Sequence, residues 1–149
     1  MQSLTSILLN RANLSSLPNE IRRPAYDVEN VQTGIVHIGV GSFHRAHEAM
    51  YVDRLMAKTG DLSWGICGVG LRENDRAMKK VFDEQDNLYT LVEKHNDGSR
   101  SASVIGAMTG FLMAPDDPQA GIDKMAEPQR RNISINSTEG STKIETAAG

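Results

Sequence analysis

Residues 34–47, GIVHIGVGSFHRAH, constrain the fold more than any other stretch of this chain. An apolar run at 35–40 passes through Gly39-x-Gly41 directly into residues with helical spacing. A strand that ends in a glycine turn and opens a helix is what a pyrophosphate needs. The glycines let backbone N–H groups approach phosphate oxygens, and the helix start carries partial positive charge. A Gly-x-Gly pair is common by itself; its place between strand and helix gives it weight. The third glycine of the dinucleotide fingerprint is replaced by His44, which implies a wider or differently turned loop.

Strand and helix signals alternate along the rest of the chain. Residues 1–33, with Pro18 and Pro24 and no sustained periodicity, read as an N-terminal arm packed over the domain, with one short helix near 4–13. A first strand spans 35–40. A helix follows over about 43–58, where Phe43, Ala46, Met50, Val52 and Met56 keep helical spacing and Gly60 stops it. A short apolar strand at 64–69 suits a buried parallel position. The next helix is expected over 75–85, capped by Asn74, with Ala77, Met78, Val81 and Phe82 on one face. Residues 88–93 alternate, Asn96-Asp97-Gly98 signals a turn, and 101–105 can return as the second arm of a hairpin. Asp116 or Asp117 opens a last helix through about 126, with Pro118 in its first turn. This order predicts an α/β fold with a parallel sheet and one antiparallel excursion.

Two segments together carry a family signature: Phe43-His44-Arg45-Ala46-His47, and Trp64-Gly65-Ile66-Cys67-Gly68-Val69-Gly70-Leu71-Arg72. They resemble the N-terminal domain of the mannitol dehydrogenase family, the long-chain, zinc-independent polyol dehydrogenases. The GxGxFHRAH string is specific to that family and its fructuronate and altronate reductase relatives, and the GVGLR continuation is nearer the mannitol branch. The resemblance runs from about Gly34 to about Pro128. It implies an incomplete Rossmann-like domain over 34–131, NAD as cofactor and a small polyol or ketose as substrate. In the intact enzyme NAD would accept hydride from C2 of D-mannitol to give D-fructose. The family's lysine base, and the asparagine and histidine that polarise the substrate oxygen, lie C-terminal of the residues present. Lys94, Lys124 and Lys143 stand outside the matching motif, so no catalytic residue is assigned and the catalytic domain is expected to be absent.

The expected cofactor contacts are Gly39, Val40, Gly41, Ser42, Phe43, His44, Arg45, Arg72 and Asp75. Arg45 could meet a phosphate or pair with an acid such as Glu48. By position, Asp75 matches the acid that holds the adenosine ribose hydroxyls; equally, its charge could support the start of its helix. An acid there favours NAD, whereas Arg72 beside it could accept a 2′-phosphate. His44 and His47, three apart, could reach one metal ion, but no third ligand is near and the resembled family uses no catalytic zinc, so no metal is expected. His37 reads as a satisfied core histidine and His95 as an exposed turn residue. Trp64, Tyr51, Tyr89 and Phe82 read as core or interface aromatics. Hydrolase elbows and P-loops lack their residues here. A methyltransferase-type glycine loop is opposed by the Phe-His-Arg-Ala-His continuation.

The remaining expectations concern surroundings. A net charge of −3 gives no reason to invoke nucleic acid or an anionic membrane. No apolar run approaches the ~20 residues of a membrane span. The single Cys67, in an apolar run, suits a reducing cytoplasm. Residues 132–149 are rich in Ser, Thr, Asn and Gly and are expected to be a divergent, disordered tail, although Thr138-Glu139-Gly140 matches a motif that ends a buried strand in the resembled family. The expected product is a truncated or frame-disrupted chain, either the cofactor half of a dehydrogenase or a non-catalytic dinucleotide-binding remnant or interaction domain. Its open sheet edge should favour self-association.

Overall fold

A computed structural model describes residues 7–136 and places the glycine turn at the carboxyl ends of a parallel sheet. The chain runs β1 (Ile21–Arg22), β2 (Thr33–Ile38), α1 (Ser42–Ala46), α2 (Glu48–Thr59), β3 (Gly65–Gly70), α3 (Asp75–Glu84), β4 (Tyr89–Lys94), β5 (Arg100–Ile105), β6 (Met108–Met113), α4 (Pro118–Ala126) and β7 (Asn132–Ile135). Four strands pair in the order β6-β3-β2-β7, all parallel. By sequence these are third, second, first and fourth, so the order reverses beside β2. That reversal is the switch point at which open α/β sheets bind ligands. The antiparallel hairpin β4–β5 forms a separate three-stranded sheet with β1.

Every residue of β3 is buried, which its unbroken apolar sequence requires. One core joins α2 (Ala49, Met50, Met56) to Ile35, Ile66, Phe82, Phe111 and Met113. Phe82 sits with its ring 5.9 Å from Tyr89 and 5.6 Å from Phe111, tying α3 to both sheets. The N-terminal arm packs Leu14, Leu17 and Ile21 over Leu88 and Val104, covering the hairpin sheet. Its described helical pieces are 3-10 turns at Arg11–Ser16 and Val28–Asn30, the first later than the expected helix, whose first residues lie outside the described ones.

Several boundaries differ from the sequence reading. The long first helix is two: His47, at φ −123° and ψ −83°, breaks it into α1 and α2, and its Nδ1 lies 2.8 Å from the Phe43 carbonyl. Asn74 does not cap α3; its backbone is already helical and its side chain makes no capping bond. The first strand stops at Ile38 because Gly39 adopts φ +89°, outside extended geometry. Strand β6 was not anticipated. The tail reading is corrected at its start, since residues 132–135 form β7, in parallel register with Ile35–Ile38. The Thr-Glu-Gly motif lies outside the described residues.

Candidate functional site

The turn after β2 is built around one carbonyl. Gly39 donates its N–H to the Val69 carbonyl at 2.9 Å, and its own carbonyl accepts from Gly41 N at 3.0 Å. Only a residue that tolerates φ +89° can make this bend without strain. Gly41 is extended, at φ −99° and ψ −175°, and a Cβ built on it would meet nothing within 4 Å. The space it leaves belongs to a cleft of about 740 Å³, within the range of small-molecule sites. Gly39, Val40, Gly41, Ser42 and Phe43 form its floor, Leu71, Arg72 and Asp75 one wall, and Ile135 and Asn136 the other. Phe43 is 68% exposed and Ile135 63% exposed, so apolar surface frames the opening.

Asp75 holds its wall together. Its Oδ2 accepts the N–H groups of Leu71 at 2.9 Å and Arg72 at 3.0 Å, closing the loop between β3 and α3. Gly70 makes this approach possible, because a Cβ there would lie 2.8 Å from that of Asp75. The exposed Arg72 stands beside it.

Two expected contacts turn elsewhere. Arg45 lies in a second cavity, of about 530 Å³, with Leu9, Met78, Phe82 and Tyr89. Its guanidinium reaches the Met78 sulfur at 3.1 Å and Ser42 Oγ at 3.4 Å, and the expected pairing with Glu48 is absent. Glu48 is engaged by a different residue. His44 is fully buried, and its ring stacks on His37 at 3.7 Å with 16° between planes. Burial and the neighbouring His37 lower the His44 pKa to about 4, so the ring is neutral near pH 7.

His37 is a core histidine, as expected, but it has specific partners. Its Nδ1 lies 2.8 Å from Ser134 Oγ on β7 and 3.2 Å from Glu48 Oε2 on α2, and its Nε2 lies 3.2 Å from the Gly39 carbonyl. Ser134 Oγ donates to Glu48 Oε1 at 2.9 Å. The hydrogen bond to His37 holds the Glu48 carboxyl below its ordinary pKa, with help from Ser134. Sequence spacing does not reveal Glu48 and Ser134 as partners of His37, because Glu48 sits on a separate helix, α2, and Ser134 on β7, 97 residues away. His44 and His47 do not converge; His47 faces back to Phe43. Trp64 packs at the edge of the core, with the Arg131 guanidinium 4.5 Å from its ring centre.

Residues 33–149 match the family profile described as the mannitol dehydrogenase Rossmann domain. The chain belongs to the mannitol dehydrogenase family. It is 50% identical over 119 residues to mannitol 2-dehydrogenase of Pyricularia oryzae, a match covering 80% of this chain and 24% of the relative. A polyol:NADP oxidoreductase of Gluconobacter oxydans is 41% identical over 144 residues, with 95% and 29% covered. Among solved structures, the ternary complex of Pseudomonas fluorescens mannitol 2-dehydrogenase with NAD and D-mannitol superposes with a TM-score of 0.84 at 46% identity, covering 89% of this chain and 27% of that one. The chain thus spans about a quarter of the length of these mannitol dehydrogenase relatives. The incomplete Rossmann-like fold expected from the sequence is the fold observed.

Proposed function

We propose that this chain is the nucleotide-binding portion of an NAD-dependent polyol dehydrogenase of the mannitol 2-dehydrogenase type. In the longer enzyme D-mannitol and NAD would give D-fructose and NADH. The observation that carries this reading is the cleft at the switch point, floored by Gly39–Phe43 and walled by Asp75. NAD, when bound, supplies the hydride acceptor. The residues fit it: open space over Gly41 admits a pyrophosphate to the backbone. Asp75 commits Oδ2 to its own loop and keeps Oδ1 for a ribose hydroxyl. Gly39, Val40, Gly41, Ser42, Phe43, Arg72 and Asp75 make up the binding surface, while His44 and Arg45 support the turn from beneath.

We assign 34–135 as the dinucleotide-binding unit, which adds β7 to the span read from the sequence. The buried single thiol of Cys67 suits the cytoplasm. No helix among the described residues is long and apolar enough to cross a membrane.

An NADH titration of the purified chain, followed by quenching of Trp64 and run beside NADPH, tests the reading. Saturable binding that favours NADH supports it; a folded chain that binds neither nucleotide refutes it. A preference for NADPH would move the assignment to the NADP branch, the cofactor named for the Gluconobacter relative. Turnover of mannitol with NAD separates an enzyme from a dinucleotide-binding module without catalysis.

A further inference from the structure

Four polar side chains, His37, His44, Glu48 and Ser134, meet beneath the glycine turn, and none of them lines the cofactor cleft. Ligand-type atoms of His37, His44 and Glu48 lie within 4.8 Å of one another. A shared metal does not explain them. Imidazole lone pairs lie in the ring plane, and two rings stacked 3.7 Å apart at 16° aim side by side instead of at one point.

Counting donors gives a better account. The Gly39 carbonyl can only accept, so the Nε2 that faces it must carry a proton. On the other side, Ser134 gives its only hydroxyl proton to Glu48 Oε1. Its oxygen is therefore an acceptor toward Nδ1, as is the Glu48 carboxylate. Both ring nitrogens face acceptors, and only a doubly protonated ring satisfies them. The neutral face of His44 packs against that cation.

We propose that His37 is a positioning residue for cofactor binding: an imidazolium, anchored by Glu48 and Ser134, whose Nε2 proton fixes the Gly39 carbonyl and with it the glycine turn. This rests on the reading of that turn as a dinucleotide site. The Gly39 carbonyl also takes the Gly41 N–H, so it is the one acceptor that both closes the turn and ties it to the core. The groups facing His37 are Glu48 from α2, His44 from α1, the Ser134 hydroxyl from β7 and, at its register position on β3, Gly68, which has no side chain. When the ring loses a proton, the carboxylate beside Nδ1 keeps that nitrogen protonated. Nε2 is then left bare, its lone pair opposing the Gly39 carbonyl, and the turn loses its inner tie.

The test is the pH dependence of NADH affinity in the full 149-residue chain and two variants. Wild type is expected to lose about ten-fold in affinity between the pH at which nitrogen-15 spectra show both His37 nitrogens protonated and the pH at which they show Nε2 bare, the loss of one charge-assisted hydrogen bond. His37→Gln keeps an N–H donor for Gly39 without a titrating charge, so its affinity stays flat with pH. Glu48→Gln removes the counter-charge, and the step moves to lower pH. A wild-type step that persists in His37→Gln, or one unmoved in Glu48→Gln, overturns the proposal. Nitrogen-15 spectra of the histidine rings decide it independently of any nucleotide and of either variant. Two protonated nitrogens on His37 near neutral pH support it, and a bare Nε2 overturns it. Absence of NADH binding at every pH, with His37 doubly protonated, would instead refute the cofactor reading.

Discussion

The two glycines of the turn should respond to the same substitution with opposite signs. Gly39 sits at φ +89°, and a methyl added there would meet nothing within 4 Å, so the cost of Gly39→Ala is backbone strain alone. That strain is about 1–2 kcal/mol for an L-residue in a left-handed conformation. For a chain of this size it corresponds to a fall in Tm of about 2–8 °C. Gly41, at φ −99° and ψ −175°, is in a conformation any residue adopts, and its methyl would also meet nothing within 4 Å. Gly41→Ala then narrows the unfolded ensemble without straining the fold and stabilises by about 0.4–1 kcal/mol, or about 1–4 °C. The same methyl projects into the space a pyrophosphate would use, so NADH affinity should fall at least about ten-fold although the protein is more stable. Thermal melts by circular dichroism and NADH titration of both variants measure this. The reasoning is refuted if Gly41→Ala melts as low as Gly39→Ala, or if it binds NADH as tightly as wild type.

Three further outcomes are expected. Asp75→Ala should destabilise by about 1 kcal/mol through loss of the acceptor for two backbone N–H groups, and should weaken NADH more than NADPH by removing negative charge from the ribose wall; an unchanged ratio of the two affinities would count against Asp75 as the ribose acid. Burial raises the Asp53 carboxyl above its ordinary pKa, against the opposing hydrogen bonds from Tyr26 and Gly106, so the folded chain binds more protons than the unfolded one and stability falls as pH rises upward from about pH 4. Urea midpoints of Asp53→Asn, which keeps the Oδ1 acceptor, should lack that decline, and a decline equal to wild type would rule out Asp53 as its source. The outer edge of β7 carries Ile133, 50% exposed, and Ile135, and should drive association at micromolar concentration; Ile133→Glu should return the chain to monomer in sedimentation velocity, and a monomeric wild type would remove the premise.

Legibility in the sequence followed the range of the interactions involved. Strand β3 and the hairpin β4–β5 are set by local pattern, an unbroken apolar run and an alternation broken by Asn96-Asp97-Gly98, and both lie within a residue or two of expectation. The break at His47 was hidden because Phe43, Ala46, Met50 and Met56 keep helical spacing straight across it; only the backbone shows that the period restarts at Glu48. Only two residues separate the end of β5 from the start of β6, with no turn signal strong enough to mark a change of sheet. At the site, the glycine turn was legible, since φ +89° and open space are properties glycine advertises. The directions of His44 and Arg45 were not. Which face of a short helix meets the core depends on what packs beneath it, here a histidine ring from β2 and the Met78 sulfur from α3.

The misread tail explains more than its four residues suggest. Asn132–Ile135 looks too polar for a buried strand because it is not one: of its residues only Ser134 is partly buried, and it is buried on Glu48 and His37. An apolar residue there would take one partner from the Glu48 carboxylate and one from the His37 Nδ1, leaving them only each other, a cost of about 1 kcal/mol. Ser134, one of several polar residues that give the segment its disordered look, is thus what docks it. Its docking also forms the cleft, because β7 lies on the far side of β2 from β3 and brings Ile135 and Asn136 to the opposite wall from Asp75. Strand order and polar docking therefore act together: the reversal of order opens a crevice over the Gly39 turn, and the Ser134–Glu48–His37 contacts tie the strand that completes it to the carbonyl that shapes it.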